Sequence, residues 1–361
     1  MSGFLSRRHS RLSPYVPGEQ PRGGDFIKLN TNEAPYPPAP AVLSALTSGA
    51  ASRLNLYPDP SGTALRSKLA EYHGAGVQNI ALGNGSDETL AFIFLAFFDG
   101  ERGVMFPDVT YGLYRVLAAL YNIPYSEIPV GESLAVRPED YVGVRKNIVL
   151  ANPNAPTGIA LSMDDIERIA DSNPEYIVVI DEAYADFARR SAVPLTRKHD
   201  NLLVVRTYSK SRFLAGARLG YAVGHEALIG DIETIRCSYN PYNVNSATLE
   251  AGAAALESGE YYGERWERII SVRDASARAL RGLGFELTDS EANFLFARHP
   301  EVPGKALFDG LREAGILVRR FDSPERIAGW LRITVGTDAQ MDALVRALAA
   351  IIDTEVKNAK K

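Results

Sequence analysis

Lys210 lies in Arg206-Thr207-Tyr208-Ser209-Lys210-Ser211-Arg212-Phe213, just after the wholly apolar run Leu202-Leu203-Val204-Val205, and Arg218 follows in the same segment. The run reads as a strand buried on both faces. A cation at the end of such a strand is costly to keep away from water unless something uses it. One use is a Schiff base with a carbonyl compound, the amine's pKa lowered by burial and by nearby positive charge. Ser209 and Arg218 would then hold an anionic group such as a phosphate. Taken alone, the segment is equally compatible with a solvated lysine in a surface turn.

Other polar residues also stand at the ends of apolar runs. Asp181 follows the four apolar residues Ile177-Val178-Val179-Ile180, and a buried carboxylate needs a cationic partner. A protonated pyridine nitrogen is one such partner; capping the next helix is the ordinary alternative. Gly83-Asn84-Gly85-Ser86-Asp87-Glu88 opens a helix whose free N–H groups attract phosphate, although Ser86 there could be only an N-cap. Tyr111, in Thr110-Tyr111-Gly112-Leu113-Tyr114, could stack on a planar ring or belong to the core. Asn152-Pro153-Asn154-Ala155-Pro156-Thr157-Gly158 is a rigid strand-ending loop with two asparagines. Arg332, inside the strand pattern Trp330-Leu331-Arg332-Ile333-Thr334, and Arg319 suit a bidentate clamp on carboxylate or phosphate, with a structural ion pair as the alternative.

The elements that must position these residues alternate short apolar runs with helical periodicity, which predicts βαβ units and a mostly parallel sheet. Strands are expected at 80–82, 104–106, 148–151, 177–180, 202–205 and 219–223. Helices are expected at 41–48, 64–70, 87–98, 111–120, 162–172 and 246–258. One long helix at 261–281 leads into a smaller α+β unit, with strands at 285–288, 293–297, 316–319 and 330–334 and helices at 303–313 and 338–352. Residues 1–30 read as an N-terminal arm joining the small domain, 31–260 as the large domain and 261–361 as the small one. The charged tail 353–361 is expected to be disordered.

The 361 residues suit about two domains. A net charge of −5 gives no sign of a nucleic-acid partner. Cys237 is the sole cysteine, which excludes an intrachain disulfide and a cysteine metal site and fits a reducing cytosol. The five histidines are scattered without metal spacing and read as surface residues, so no metal is expected. The longest apolar run, Leu90 to Phe98, is too short to cross a bilayer. Arg7, Arg8 and Arg11 are followed by no apolar core, so no signal peptide is read and a cytoplasmic location is expected.

From Pro14-Tyr15 to Arg332-Ile333-Thr334-Val335-Gly336, these motifs resemble, in order, those of the class I/II pyridoxal-phosphate aminotransferases, and among them the branch acting on histidinol phosphate. The resemblance implies a fold-type I α/β dimer that exchanges an amino group between L-histidinol phosphate and 2-oxoglutarate. It implies that Lys210 forms the Schiff base with pyridoxal 5′-phosphate and moves the proton. Asp181 would bind the pyridine nitrogen, Tyr184 the ring hydroxyl, and Tyr111 would stack on the ring. Gly85, Ser86, Asp87, Ser209 and Arg218 would surround the cofactor phosphate, and Tyr57 would reach it from the neighbouring subunit of a homodimer. Arg332, Arg319 and Tyr15 would hold the anionic end of the substrate. One departure is Ala155, where many relatives carry the asparagine that bonds the ring hydroxyl; either Asn154 or Tyr184 alone would take that contact, or the hydroxyl would be bound less tightly. Rival implications are an aromatic amino-acid aminotransferase, a phosphothreonine decarboxylase and a non-catalytic regulator that binds the cofactor.

Overall fold

A computed structural model of the chain describes residues 5–6, 9, 12–20, 25–47 and 54–359. At its centre is a seven-stranded sheet in the order Ile80–Gly83, Gly220–Gly224, Leu202–Thr207, Val178–Asp181, Asn147–Ala151, Val104–Pro107, Tyr125–Ile128. Gly220–Gly224 pairs antiparallel with both its neighbours, and the remaining pairs are parallel. This is an α/β architecture with a mostly parallel sheet. Its period-2 alternation divides the apolar side chains between two faces. Ile148, Leu150, Val178, Ile180, Leu202 and Val204 enter one core. Val149, Val179, Leu203 and Val205 enter the other, where Leu90, Ile93 and Phe94 of helix Ser86–Phe97 and Ile229 and Ile232 of helix Glu226–Tyr239 cover them. Burial on both sides is why these strands read as unbroken apolar runs.

A second, four-stranded antiparallel sheet runs in the order Arg319–Arg320, Leu331–Thr334, Phe294–Arg298, Glu286–Leu287. The 24-residue helix Gly259–Gly282 leads into it. Ile27–Lys28 forms a short parallel pair with Ile316–Leu317 and so ties the start of the chain to this part.

Three expectations need correction. As far as Ala359 the tail is helical rather than disordered: one helix runs Asp338–Ala359, because Ile351, Ile352 and Val356 pack against the core and continue the apolar stripe, and residues 360–361 lie outside the described residues. The expected strand at 316–319 is split, Ile316–Leu317 and Arg319–Arg320 joining different sheets. The histidines are not all superficial: His73 Nε2 lies 2.9 Å from the Tyr221 hydroxyl, and burial first, then Arg206, lower its pKa to about 3. Elements that the sequence reading did not place include helix Glu226–Tyr239 and edge strand Tyr125–Ile128. The expected helix at 41–48 is found as Pro40–Ala45, and Ser48 lies outside the described residues.

Candidate active site

The carboxyl ends of the parallel strands open on a cavity of about 350 Å³, the usual place for a ligand in a sheet of this kind. Lys210, just beyond strand Leu202–Thr207, lines it. The following turn is tight: Leu214 N–H donates to Tyr208 O at 3.1 Å, and Phe213 takes φ +56°. Lys210 Nζ donates to Thr31 O at 3.1 Å. Burial first, then the positive charge of Arg332, brings the lysine pKa down from 10.5 to about 8. Losing hydration disfavours the ammonium form, and a second cation adds to that.

Asp181, at the end of strand Val178–Asp181, is 4% exposed and also lines the cavity. Its Oδ2 accepts from the Tyr114 hydroxyl at 2.8 Å and its Oδ1 from Ala183 N–H at 3.2 Å. Burial raises the carboxyl pKa to about 6 against the opposing pull of those two donors. Tyr184 follows in the same strand-end loop, and its hydroxyl accepts from Asn32 Nδ2 at 2.9 Å. The Tyr111 hydroxyl donates to Asp87 Oδ1 at 3.0 Å, and the Tyr15 ring meets the Tyr111 ring edge-on at 5.7 Å.

An anion cradle stands at the N-terminus of helix Ser86–Phe97. Gly85 has φ +84°, and a Cβ there would sit 2.5 Å from Arg218 Nη2. A Cβ on Gly220 would sit 2.4 Å from Ser86 N, so both positions require glycine for this approach. Arg218 Nη1 donates to the Ser209 hydroxyl at 3.2 Å. Ser86, Asp87, Ser209 and Arg218 thus share one corner of the cavity.

Two further arginines, Arg319 and Arg332, also line the cavity. Arg332 donates to Asn30 O at 3.1 Å and lies over the rings of Phe294 and Phe321, while its buried Nε has no partner. Burial lowers its pKa. Arg319 donates to Val16 O and Pro17 O, both at 3.3 Å, holding the arm segment that carries Tyr15.

Tyr15, Ser86, Asp87, Tyr111, Asp181, Tyr184, Ser209, Lys210, Arg218, Arg319 and Arg332, all singled out in the sequence, therefore meet around one cavity. Three others do not line it. Gly85 stands against Arg218, as described. Asn154 is 1% exposed and its side chain is engaged elsewhere: Nδ2 donates to Val109 O and Thr157 Oγ1, and Oδ1 accepts from Thr110. The amide braces its own loop and leaves the wall to Ala155 and Pro156. Tyr57 is 81% exposed and stacks on Tyr242 at 4.5 Å.

Sequence reasoning passed over Tyr114, Thr31 and Asn32. It also missed a buried ionic cluster behind the lysine. Arg206 Nη1 donates to Glu182 Oε2 at 2.8 Å, and Arg206 and Ser211 both bond Asp186. Arg212 is caged by Tyr72, Tyr262 and Trp266, with ring centroids 5.0–5.3 Å away. No cluster of metal-ligating side chains occurs among the described residues.

Residues 24–348 match the model of the family described as aminotransferase class I and II. The chain belongs to the class I and II aminotransferases. This aminotransferase is 48% identical over 350 residues to histidinol-phosphate aminotransferase 2 of Thiobacillus denitrificans, covering 97% of this chain and 98% of that one. It is 48% identical over 352 residues to histidinol-phosphate aminotransferase 1 of Bradyrhizobium diazoefficiens, covering 98% and 100%. Among solved structures, histidinol-phosphate aminotransferase from Sinorhizobium meliloti in complex with pyridoxal 5′-phosphate superposes with a TM-score of 0.83 at 27% identity, covering 91% of each chain. The cavity therefore belongs to an aminotransferase fold.

Proposed function

We propose that this aminotransferase exchanges an amino group between L-histidinol phosphate and 2-oxoglutarate, giving imidazole acetol phosphate and glutamate in histidine biosynthesis, with pyridoxal 5′-phosphate as cofactor. The reading is carried by the convergence of Lys210, Asp181, Arg218 and Arg332 on one cavity, together with the substrate named for relatives at 48% identity.

The residues fit this cofactor. A glycine-walled helix N-terminus with Arg218 and Ser209 suits a phosphate. Asp181, buried with one donor on each oxygen, suits a protonated ring nitrogen. Tyr184, at the end of the Asn32 bond, suits the ring hydroxyl, and Tyr111 suits the ring face. When bound, pyridoxal phosphate supplies an aldehyde that condenses with amines and a ring that withdraws electrons from the substrate Cα.

The chain's own groups do the rest. Lys210, with its pKa near 8, has a substantial neutral fraction at neutral to mildly alkaline pH, so it can take and return the Cα proton. Arg332 has a buried, unpartnered Nε available to an anion. With Arg319 and Tyr15 it clamps the substrate's anionic end, either the phosphate of histidinol phosphate or a carboxylate of glutamate. The Tyr15 segment lies against Tyr111 at the cavity wall.

The working unit is a homodimer in the cytoplasm, with Tyr57 reaching the cofactor phosphate of the neighbouring subunit. Its exposure and its stacking on Tyr242 support that role. The chain divides into an arm (1–30), a large cofactor domain (31–260) and a small domain (261–361), a division supported by the two separate sheets.

The test is kcat/KM on histidinol phosphate, phenylalanine and phosphothreonine, with borohydride trapping and peptide mapping of the cofactor. Higher kcat/KM on phenylalanine, or a reduced adduct away from Lys210, would sink the reading.

A further inference from the structure

Asp181 is deeply buried, and burial favours its neutral form. A neutral carboxyl could not pair with a protonated ring nitrogen, and a carboxylate of high proton affinity would draw that proton to itself. Something must keep the charge on the oxygens and the proton on the ring. Tyr114 is the side chain placed to do so. It is fully buried near the start of helix Leu113–Tyr121. Its ring is fixed edge-on to Tyr111 at 5.7 Å and tilted against Phe106 at 6.0 Å. Its neighbours form an apolar cluster, where phenylalanine would serve equally well for packing. A hydroxyl in such a place carries a desolvation cost unless it is bonded. The bond it makes is the one to Asp181, and the hydroxyl lies outside the cavity wall.

We infer that Tyr114 is a positioning residue for amino transfer, its hydroxyl holding the Asp181 carboxylate ionised and oriented toward the cofactor ring nitrogen through a 2.8 Å hydrogen bond to Oδ2. This rests on the reading of the cavity as a pyridoxal-phosphate site. Ala183 N–H fixes the other oxygen, so the two donors set the plane of the carboxylate while lone pairs remain for the ring. Burial, and then the Asp181 charge, raise the phenol pKa well above its ordinary value, so Tyr114 stays a donor. Tyr114 touches neither substrate nor cofactor and acts only through Asp181.

The test uses holoenzyme reconstituted with pyridoxal phosphate labelled with ¹⁵N in the ring. In Tyr114→Phe the ¹⁵N resonance moves from the pyridinium position toward neutral pyridine. Cofactor Kd rises about tenfold and kcat falls about tenfold, while KM for the amino donor stays within about twofold. A purely structural tyrosine would lower the melting temperature and leave the ¹⁵N signal in place, which overturns the inference. Should Tyr114→Phe not fold, 3,5-difluorotyrosine incorporated in place of Tyr114 keeps the shape and donates more strongly. The ring nitrogen then keeps its ¹⁵N pyridinium signal to higher pH than in the wild type, and an unmoved titration overturns the inference. Uptake of cofactor at Lys210 with no movement in either protein removes the role of Tyr114 alone. Failure of the wild-type chain to take up cofactor removes the reading of the cavity and the inference together.

Discussion

Arg218 Nη2 stands 3.1 Å from Asp87 Oδ2, and both side chains are half-exposed to the cavity. Asp87 also accepts from Tyr111, so Tyr111 and Arg218 share one carboxylate. Replacing Arg218 removes a charge-assisted donor and leaves Asp87 uncompensated beside an arriving dianion. Arg218→Met is expected to weaken cofactor binding by about 100-fold. Fluorescence titration of the cofactor-free protein measures this. A change under about threefold would argue that the helix N-terminus holds the phosphate without Arg218.

Lys210 predicts a pH dependence. In the unfolded chain the amine keeps its proton up to its ordinary 10.5, whereas in the fold it releases it near 8. Between those values the unfolded chain binds more protons, so the stability of the cofactor-free protein rises with pH across that window. Below it the charged amine is buried at full penalty. The rise is on the order of 3 kcal/mol and should be missing from Lys210→Met when urea midpoints are compared across the window. Arg332 is the foremost charge holding the lysine pKa down, so Arg332→Gln should move the midpoint of Lys210 acylation to higher pH. A midpoint unchanged by that substitution would leave burial and the charge of Arg218 as the causes.

The strands and the cavity were legible in the sequence for a common reason. Central parallel strands are apolar throughout, so the polar residue that ends each one stands out; Asp181 and Lys210 were found that way. Tyr125–Ile128 was not, because an edge strand alternates exposed Tyr125 and Glu127 with half-buried Ser126 and Ile128 and is too short to announce itself. Helix Glu226–Tyr239 hid because Ile229, Ile232 and Ile235 are interrupted by Gly230 and Asp231. Tyr114 was passed over, since one hydroxyl bond formed 67 residues along the chain leaves no local pattern. The partners of Asn154 had no local signature either: its amide bonds Val109 O and the Thr110 hydroxyl, more than forty residues back along the chain.

The cluster behind Lys210 predicts a large loss of stability. The Arg206 side chain is 6% exposed and that of Glu182 is 0%. Burial raises the Glu182 pKa even with Arg206 beside it. Arg206→Met leaves Glu182 and Asp186 facing each other in a dry interior and should cost about 3–5 kcal/mol by denaturant titration. Combining it with Glu182→Met and Asp186→Leu should recover most of that loss, because the stranded charges go too. No recovery would mean that the cluster's specific bonds, such as Ser211 to Asp186, matter more than its charge balance.

The C-terminal helix gives a further check. Ile351, Ile352 and Val356 pack against the core, so removing residues 351–361 exposes apolar surface on helix Gly304–Glu313 and its neighbours. A loss of about 3 kcal/mol is expected in urea unfolding. A truncated chain as stable as the full one would restore the view of 353–361 as a dispensable tail.

Arg332 bears on whether one clamp serves two anions. Its guanidinium lies over Phe294 and Phe321 and bonds Asn30 O, which fixes its plane and aims it as a fork. Lysine keeps the charge but loses the fork and the stacking. If the phosphate of histidinol phosphate and a carboxylate of glutamate use the same fork, Arg332→Lys weakens both half-reactions together. Single-turnover kcat/KM should fall about 100-fold for each amino donor. A loss confined to histidinol phosphate would assign the glutamate carboxylate to a different cation, with Arg319 the first candidate because its present partners are backbone carbonyls of the arm.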